Sequence, residues 1–190
     1  MLSVRQINAH IRIGSLDLAA FAKEQGITLK RDIERAGSRR LLAEMLKTED
    51  FTLCYTDLNK PYLQNRAEHM SISHSHDKLV IITNTKESTG IDIELIRDKV
   101  LKIQHKFLSA SELGYAKDDV DKLLTIWAAK EAMFKAYGKK DLEFAQHIRV
   151  ENFETSTLYG EIKIDDFHTR YNLASETIDA YRMVYILNEI

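Results

Sequence analysis

The chain has 190 residues, of which 44% are hydrophobic, so it is long enough to bury a sizeable core in one domain or in two small halves. Its 27 Lys and Arg and 29 Asp and Glu give a net charge of −2, which argues against a general polyanion binder and requires any anion site to be local. The single cysteine excludes an internal disulfide, and no run approaches the ~20 apolar residues of a membrane span. The N-terminus has no apolar signal segment, so we expect a cytoplasmic protein that does not bind a membrane.

The N-terminal region predicts a strand followed by two helices. Polar and apolar residues nearly alternate over residues 2–13, which is typical of a strand. Gly14 is expected to end that strand, and Ser15 to cap a short helix over residues 16–25. A second helix is predicted over residues 29–47, with most of its apolar residues on one side.

The rest of the chain predicts further strands and one long helix. Three strands in quick succession are expected to share a compact sheet: residues 70–75, 79–83 and 90–94. A helix is predicted over residues 120–138, and residues 148–187 alternate as three or four antiparallel strands. This order is typical of an α+β protein made of two comparable halves, residues 1–90 and 91–190.

The segment Gly90-Ile91-Asp92-Ile93-Glu94 carries two carboxylates on one predicted strand. The strand period of two places Asp92 and Glu94 on one face and the isoleucines on the other. Adjacent carboxylates repel each other unless a cation lies between them, and a ligand set of oxygens alone favours Mg²⁺. The alternative is the ordinary acidic face of a solvated edge strand.

A third carboxylate lies on the helix predicted over residues 120–138. At 100° per residue, Glu131 falls within the broad apolar arc of that helix, and so does Lys130. A carboxylate on the buried side needs a partner, and Lys135 lies one turn later on the same edge. The alternative is an ordinary surface pair of Glu131 and Lys135, contributing only ~0.3–0.5 kcal/mol. Three carboxylates and a lysine together are suited to chemistry at a phosphate ester or a pyrophosphate.

These motifs resemble those of the Sfp-type 4'-phosphopantetheinyl transferases. That family pairs a G-I-D-I-E strand with a downstream W-x-x-K-E-x-x-x-K helix, and the chain has both in this order, the second beginning at Trp127. A phenylalanine and a glutamate between the two motifs are matched by Phe107 and Glu112. Upstream, the K-P turn and the S-H-S strand end of the family are matched by Lys60-Pro61 and Ser73-His74-Ser75. The resemblance runs over residues 39–138.

The resemblance implies an Mg²⁺-dependent transfer of phosphopantetheine from coenzyme A to a serine of an apo carrier protein of the acyl, peptidyl or polyketide type. Asp92, Glu94 and Glu131 would hold the metal. Glu131 or a metal-bound water would deprotonate the serine, and Lys135 would stabilise the departing adenosine 3',5'-bisphosphate. The residues implied to bind coenzyme A are Arg39, Arg40, Lys60, Ser73 and His74. The resemblance also implies two similar α+β halves packed as a pseudo-dimer within a monomer.

Two other functions stay open at this point. A metal-dependent nuclease or phosphodiesterase also uses acids and a lysine, but usually places the last Glu and Lys two residues apart on a strand. Here they are four apart on a predicted helix, and the near-neutral charge lacks a basic stripe, so we expect no nucleic-acid partner. A non-catalytic coenzyme A binding module is the second alternative. His74 and His76 also form an H-x-H pair that would suit zinc or iron if a third ligand joined them.

Overall fold

A computed structural model describes residues 1–151 and 157–190 of the chain. It divides into two compact units, Met1–Ser88 and Thr89–Ile190. Each unit contains both helices and antiparallel sheet, which confirms the predicted mixture of α and β structure. Within the described residues, no helix is both long and apolar enough to cross a membrane.

The first unit is built on a four-stranded antiparallel sheet with two helices. Its strands are β1 (Leu2–Gln6), β2 (Ile11–Asp17), β5 (His69–Ser75) and β6 (Lys78–Asn84), hydrogen-bonded in the order β1-β2-β6-β5. A separate two-stranded ribbon consists of β3 (Thr52–Tyr55) and β4 (Pro61–Gln64). The helices are α1 (Leu18–Gln25) and α2 (Lys30–Leu46). Leu41, Leu42 and Met45 of α2 are fully buried against apolar residues of the sheet, so this unit has its own core.

The prediction of one strand over residues 2–13 is wrong, because the chain reverses within it to form the β1–β2 hairpin. The reversal contains no glycine or proline; instead, the Asn8 side-chain oxygen accepts hydrogen bonds from the backbone N–H groups of His10 and Ile11, both at 2.9 Å. Gly14 lies inside β2 and does not end a strand: an added Cβ would stand 2.7 Å from Met45 Sδ.

The predicted cap of the first helix is also wrong. Asp17, and not Ser15, precedes α1, and its carboxylate accepts a hydrogen bond from the backbone N–H of Ala20 at 2.8 Å. Ser15 lies within β2, where its hydroxyl contacts that of Ser3 on β1 at 2.8 Å. The strand therefore extends to Asp17, four residues beyond the predicted end at residue 13, and the helix begins at Leu18, two residues later than predicted.

The second unit is built on a five-stranded antiparallel sheet. Its strands are β7 (Ile91–Leu95), β8 (Ile148–Glu151), β9 (Thr157–Ile164), β10 (Phe167–Ile178) and β11 (Tyr181–Glu189), hydrogen-bonded in the order β7-β11-β10-β9-β8. The helices are α3 (Ala110–Ala116), α4 (Val120–Tyr137) and the short α5 (Phe144–His147), and two 3₁₀ segments precede them, Asp98–Lys102 and Gln104–Lys106. Apolar residues of α4 are buried in one core with those of the sheet.

The sequence predicts three or four antiparallel strands over residues 148–187, and the structure has four; residues 152–156 of that segment lie outside the described residues. The compact sheet predicted from residues 70–75, 79–83 and 90–94 is wrong. The first two segments pair as β5 and β6, but the third is β7, an edge strand of the second sheet that pairs with β11. A strand pattern indicates local conformation and does not select the pairing partner.

Gly90 permits a close backbone approach between α4 and the start of β7. A Cβ built at Gly90 would stand only 1.8 Å from the carbonyl oxygen of Ala132 in α4. The obstacle is a helix backbone atom, which cannot move aside as the end of a flexible side chain can. Any larger residue at position 90 would therefore push the helix and the strand apart.

We expect Gly90→Ala to lower the free energy of unfolding by about 3 kcal/mol or more, because α4 would have to shift. Gly114→Ala is the matched control, since a Cβ there meets nothing within 4 Å on helix α3. That change should stabilise by up to about 1 kcal/mol, because alanine is the better helix former. Urea unfolding of both variants measures the difference, and equal stabilities would contradict the close approach.

Candidate active site

Asp92 and Glu94 lie on the face of β7 that α4 covers. Lys135 of α4 donates hydrogen bonds to Asp92 Oδ1 at 2.7 Å and to the carbonyl oxygen of Ile91 at 3.1 Å. Trp127 of the same helix donates its indole N–H to Glu94 Oε1 at 3.0 Å. Asp92 is only 4% exposed and Glu94 is half-buried, so this acidic face is not freely solvated although β7 is an edge strand.

Glu131 is half-buried on α4. Along this helix it lies between Trp127, which contacts Glu94, and Lys135, which contacts Asp92. The pKa of Glu131 is raised to about 7, chiefly by burial and next by the negative charge of Asp92; Lys135 opposes the shift and Glu94 adds to it. The alternative interpretation, an ordinary surface pair of Glu131 and Lys135, does not describe this arrangement, because Lys135 forms its ion pair with Asp92. The fold thus brings three acids and one lysine within electrostatic reach of one another.

The chemistry of these side chains fits a hard divalent cation. Three carboxylates that repel one another, one of them with a raised pKa, are stabilised when a cation shares their oxygens. Over residues 1–151 and 157–190, no three His, Cys, Asp or Glu side chains already stand in a metal-binding arrangement, either here or around His74 and His76. Asp92 Oδ1 is instead engaged by Lys135, and Glu94 Oε1 by Trp127.

Lys130 is completely buried and forms an ion pair with Glu112, a contact that the sequence did not predict. Its ammonium group donates to Glu112 Oε2 at 2.8 Å. Three backbone carbonyl oxygens also lie within hydrogen-bond distance at 2.7, 2.9 and 2.7 Å, those of Phe107, Phe144 and Ile148, so the three N–H groups are shared among four acceptors. Glu112 in turn accepts from the backbone N–H groups of Ser109 at 2.7 Å and Val150 at 3.0 Å. Burial lowers the pKa of Lys130, and the charge of Glu112 opposes that shift.

One signal in the sequence pointed to this pair. Lys130 falls in the apolar arc of its helix, and a buried cation requires a buried anion. Glu112 lies 18 residues before Lys130 and was identified only through the resemblance. No sequence pattern therefore indicated that the two side chains contact each other.

The five residues predicted to bind coenzyme A all lie in the first unit. Arg39 and Arg40 follow each other on α2, so their side chains leave the helix about 100° apart. The Arg39 guanidinium lies over the ring of Phe51, 5.1 Å from its centroid, whereas Arg40 forms an ion pair with Glu44 at 3.6 Å. The two arginines therefore contact different neighbours.

The other three residues lie on or beside strands. Lys60 immediately precedes β4 and donates to the hydroxyl of Ser88 at 3.1 Å, and burial lowers its pKa. Ser73 and His74 are neighbours on β5, with Ser73 buried and the His74 side chain 42% exposed. His74 Nδ1 lies 3.5 Å from a carboxylate oxygen of Glu34 on α2.

Comparison with known families gives one match. A family model described as the 4'-phosphopantetheinyl transferase superfamily matches residues 88–186, just over half of the chain. The matched region contains Asp92, Glu94, Glu131 and Lys135, and also the buried pair of Glu112 and Lys130. No curated protein matches the chain.

We expect Lys130→Met to lower the free energy of unfolding by about 3–5 kcal/mol, because Glu112 would remain buried without its counter-charge. Lys122→Met is the control on the same helix. The Lys122 ammonium lies 4.4 Å from the centre of the Tyr115 ring, a contact whose loss should cost no more than about 1 kcal/mol. Urea unfolding compares the two, and a similar small loss in both would contradict a structural role for Lys130.

We expect Glu131→Gln to make the metal-free protein more stable at pH 8 than the wild type, with the advantage disappearing toward pH 4.5. The folded pKa of Glu131, about 7, lies above its ordinary value of 4.5, so the native state binds more protons between these pH values and its stability falls as the pH rises. The difference should reach at most about 3 kcal/mol above pH 7.

Thermal unfolding across this pH range, with EDTA present, measures the effect. Glu24→Gln, an exposed position on α1, is the control and should not reproduce the pH-dependent difference. A difference between Glu131→Gln and the wild type that is constant from pH 4.5 to 8 would contradict the electrostatic interpretation.

Proposed function

Because the chain belongs to the 4'-phosphopantetheinyl transferase superfamily, we propose that it transfers the phosphopantetheine arm of coenzyme A to a serine of an apo carrier protein, releasing adenosine 3',5'-bisphosphate. Members of this superfamily act on coenzyme A and carrier proteins and generally use a divalent metal. The observation that carries the proposal is the burial of Glu131 beside Asp92 and Glu94, with Lys135 on the same helix, inside the matched region.

Asp92, Glu94 and Glu131 would hold the metal, which we propose to be Mg²⁺ because all of the donors are hard oxygens. A bound Mg²⁺ would neutralise the charge that develops on the phosphate oxygens during transfer. It would also offset the mutual repulsion that these acids show in the metal-free chain.

Glu131 is the residue that we propose to accept the proton from the serine hydroxyl. Its pKa is about 7 in the metal-free chain, and a cation bound by the same carboxylate would lower it, so Glu131 would be unprotonated near neutrality and able to act as a general base. The serine oxygen would then attack the phosphorus atom that carries the phosphopantetheine arm, and the bond from this phosphorus to the bisphosphate leaving group would break.

Lys135 has the position to assist the leaving group. Its side chain is 26% exposed and its ammonium group contacts Asp92, so Lys135 lies at the acidic site without being enclosed. A departing phosphate gains negative charge in the transition state, and a nearby ammonium group stabilises that charge. We propose this role for Lys135.

The contacts of Arg39, Arg40, Lys60, Ser73 and His74 with coenzyme A stay predictions from the resemblance. Cationic and hydroxyl groups of these types suit phosphate, since guanidinium and ammonium groups donate several hydrogen bonds to its oxygens. The packing of residues 1–90 and 91–190 as a pseudo-dimer, the monomeric state and the cytoplasmic location also stay predictions.

We expect the purified chain, mixed with coenzyme A, Mg²⁺ and a panel of apo acyl, peptidyl and polyketide carrier proteins, to attach phosphopantetheine to a carrier serine. Intact-protein mass spectrometry detects the adduct, and EDTA should abolish it. Asp92→Asn should slow the reaction on the order of 100-fold or more, because it removes charge at the proposed metal site.

Asp166→Asn, at an exposed position in the turn between β9 and β10, is the matched control and should react as the wild type does. Binding of coenzyme A with no adduct on any carrier would favour the non-catalytic module. Metal-dependent cleavage of DNA or of a phosphodiester without transfer would favour the nuclease alternative.

A further inference from the structure

The hydrogen bond from Trp127 to Glu94 joins the only tryptophan of the chain to one of the three acids. Trp127 lies on α4 and Glu94 on β7, and the indole nitrogen is 3.0 Å from Glu94 Oε1. An indole N–H is a donor only, so its nitrogen can neither coordinate a metal ion nor act as an acid or a base at neutral pH. What it can do is fix the rotation of the Glu94 carboxylate about its last side-chain bond.

The indole is itself held by two aromatic rings. The Phe107 ring meets it edge-on, with 5.1 Å between the ring centroids and 67° between the planes. The Phe144 ring lies tilted at 40° with 5.6 Å between centroids. Aromatic contacts of this kind contribute beyond the area they bury and restrict ring rotation. Turning the Trp127 side chain away from Glu94 would therefore disrupt both contacts.

Lys130 anchors the backbone of both residues that carry these rings. Its ammonium group donates to the carbonyl oxygen of Phe107 at 2.7 Å and to that of Phe144 at 2.9 Å. Lys130 lies three residues after Trp127 on α4, on the same side of that helix turn. The contacts form a continuous path from Lys130 to the two phenylalanines, then to Trp127, and finally to Glu94.

From this path we infer that Trp127 is a positioning residue for the metal site: it holds the Glu94 carboxylate in the orientation that receives the cation, and Lys130 supports it through Phe107 and Phe144. The inference rests on the proposed function, since it takes the three acids as the metal ligands. Groups that hydrogen-bond to a metal ligand reduce the cost of orienting it, and removing one such group typically weakens metal affinity about 10–100-fold.

Binding of Mn²⁺ to the metal-free chain in the presence of coenzyme A tests the inference without an activity assay. The free ion is measured by electron paramagnetic resonance. Trp127→Phe keeps an aromatic ring between Phe107 and Phe144 but removes the N–H, and it should raise the dissociation constant for Mn²⁺ about tenfold or more. Phe134→Leu is the control: it alters the same aromatic cluster through Phe144, 5.5 Å away, and should change the dissociation constant less than about twofold.

A second background separates positioning from packing. Glu94→Asp keeps the charge but withdraws the carboxylate from the indole by one methylene group, so Trp127→Phe should then weaken Mn²⁺ binding less than about twofold. A Trp127→Phe loss of the same size in both backgrounds, or no loss in either, would overturn the positioning role. No Mn²⁺ binding by the wild type would overturn the proposed metal site together with this inference, so the two failures are distinguishable.

Discussion

The second unit depends on the close packing of α4 against β7. Gly90 has no side chain, and a Cβ there would stand 1.8 Å from the carbonyl oxygen of Ala132, so only glycine permits this separation of helix and strand. At that distance the helix covers the acidic face of β7, where Asp92 is buried and Glu94 is half-buried. Burial weakens the screening between charges, so Asp92 must be compensated by Lys135, and Glu131 is left with a raised pKa.

Two lysines on α4 have opposite roles. Lys130 and Lys135 are five residues apart and therefore point about 140° from each other around the helix. Lys130 is enclosed, with Glu112 and three backbone carbonyls as acceptors, so its contacts bind several chain segments into one core. Lys135 is partly exposed beside Asp92, so its ammonium group can reach a ligand that enters the site. The first lysine stabilises the fold, and the second belongs to the chemistry that we propose.

The family match and the acidic site coincide in the same part of the chain. The match over residues 88–186 covers most of the second unit, which contains every residue of the carboxylate cluster. The predicted coenzyme A contacts lie in the first unit, outside the match, and rest on the shorter motifs around Lys60 and His74. The family match therefore supports phosphopantetheine transfer in the region that contains the carboxylate cluster. The predicted coenzyme A contacts rest on the resemblance alone.

The sequence by itself determined which residues share a face of an element. The period of two in residues 90–94 and the helical wheel of residues 120–138 placed Asp92, Glu94 and Glu131 correctly on their elements, and alternation predicted the C-terminal strands. It failed where a side chain made the turn, as Asn8 does in the β1–β2 hairpin, because no glycine or proline marks that reversal. Only the tertiary structure decided the partners: β11 for β7, Asp92 for Lys135, and Glu94 for Trp127, 33 residues away. The physical reason is that spacing fixes direction within one element, whereas a contact between elements depends on how their surfaces pack.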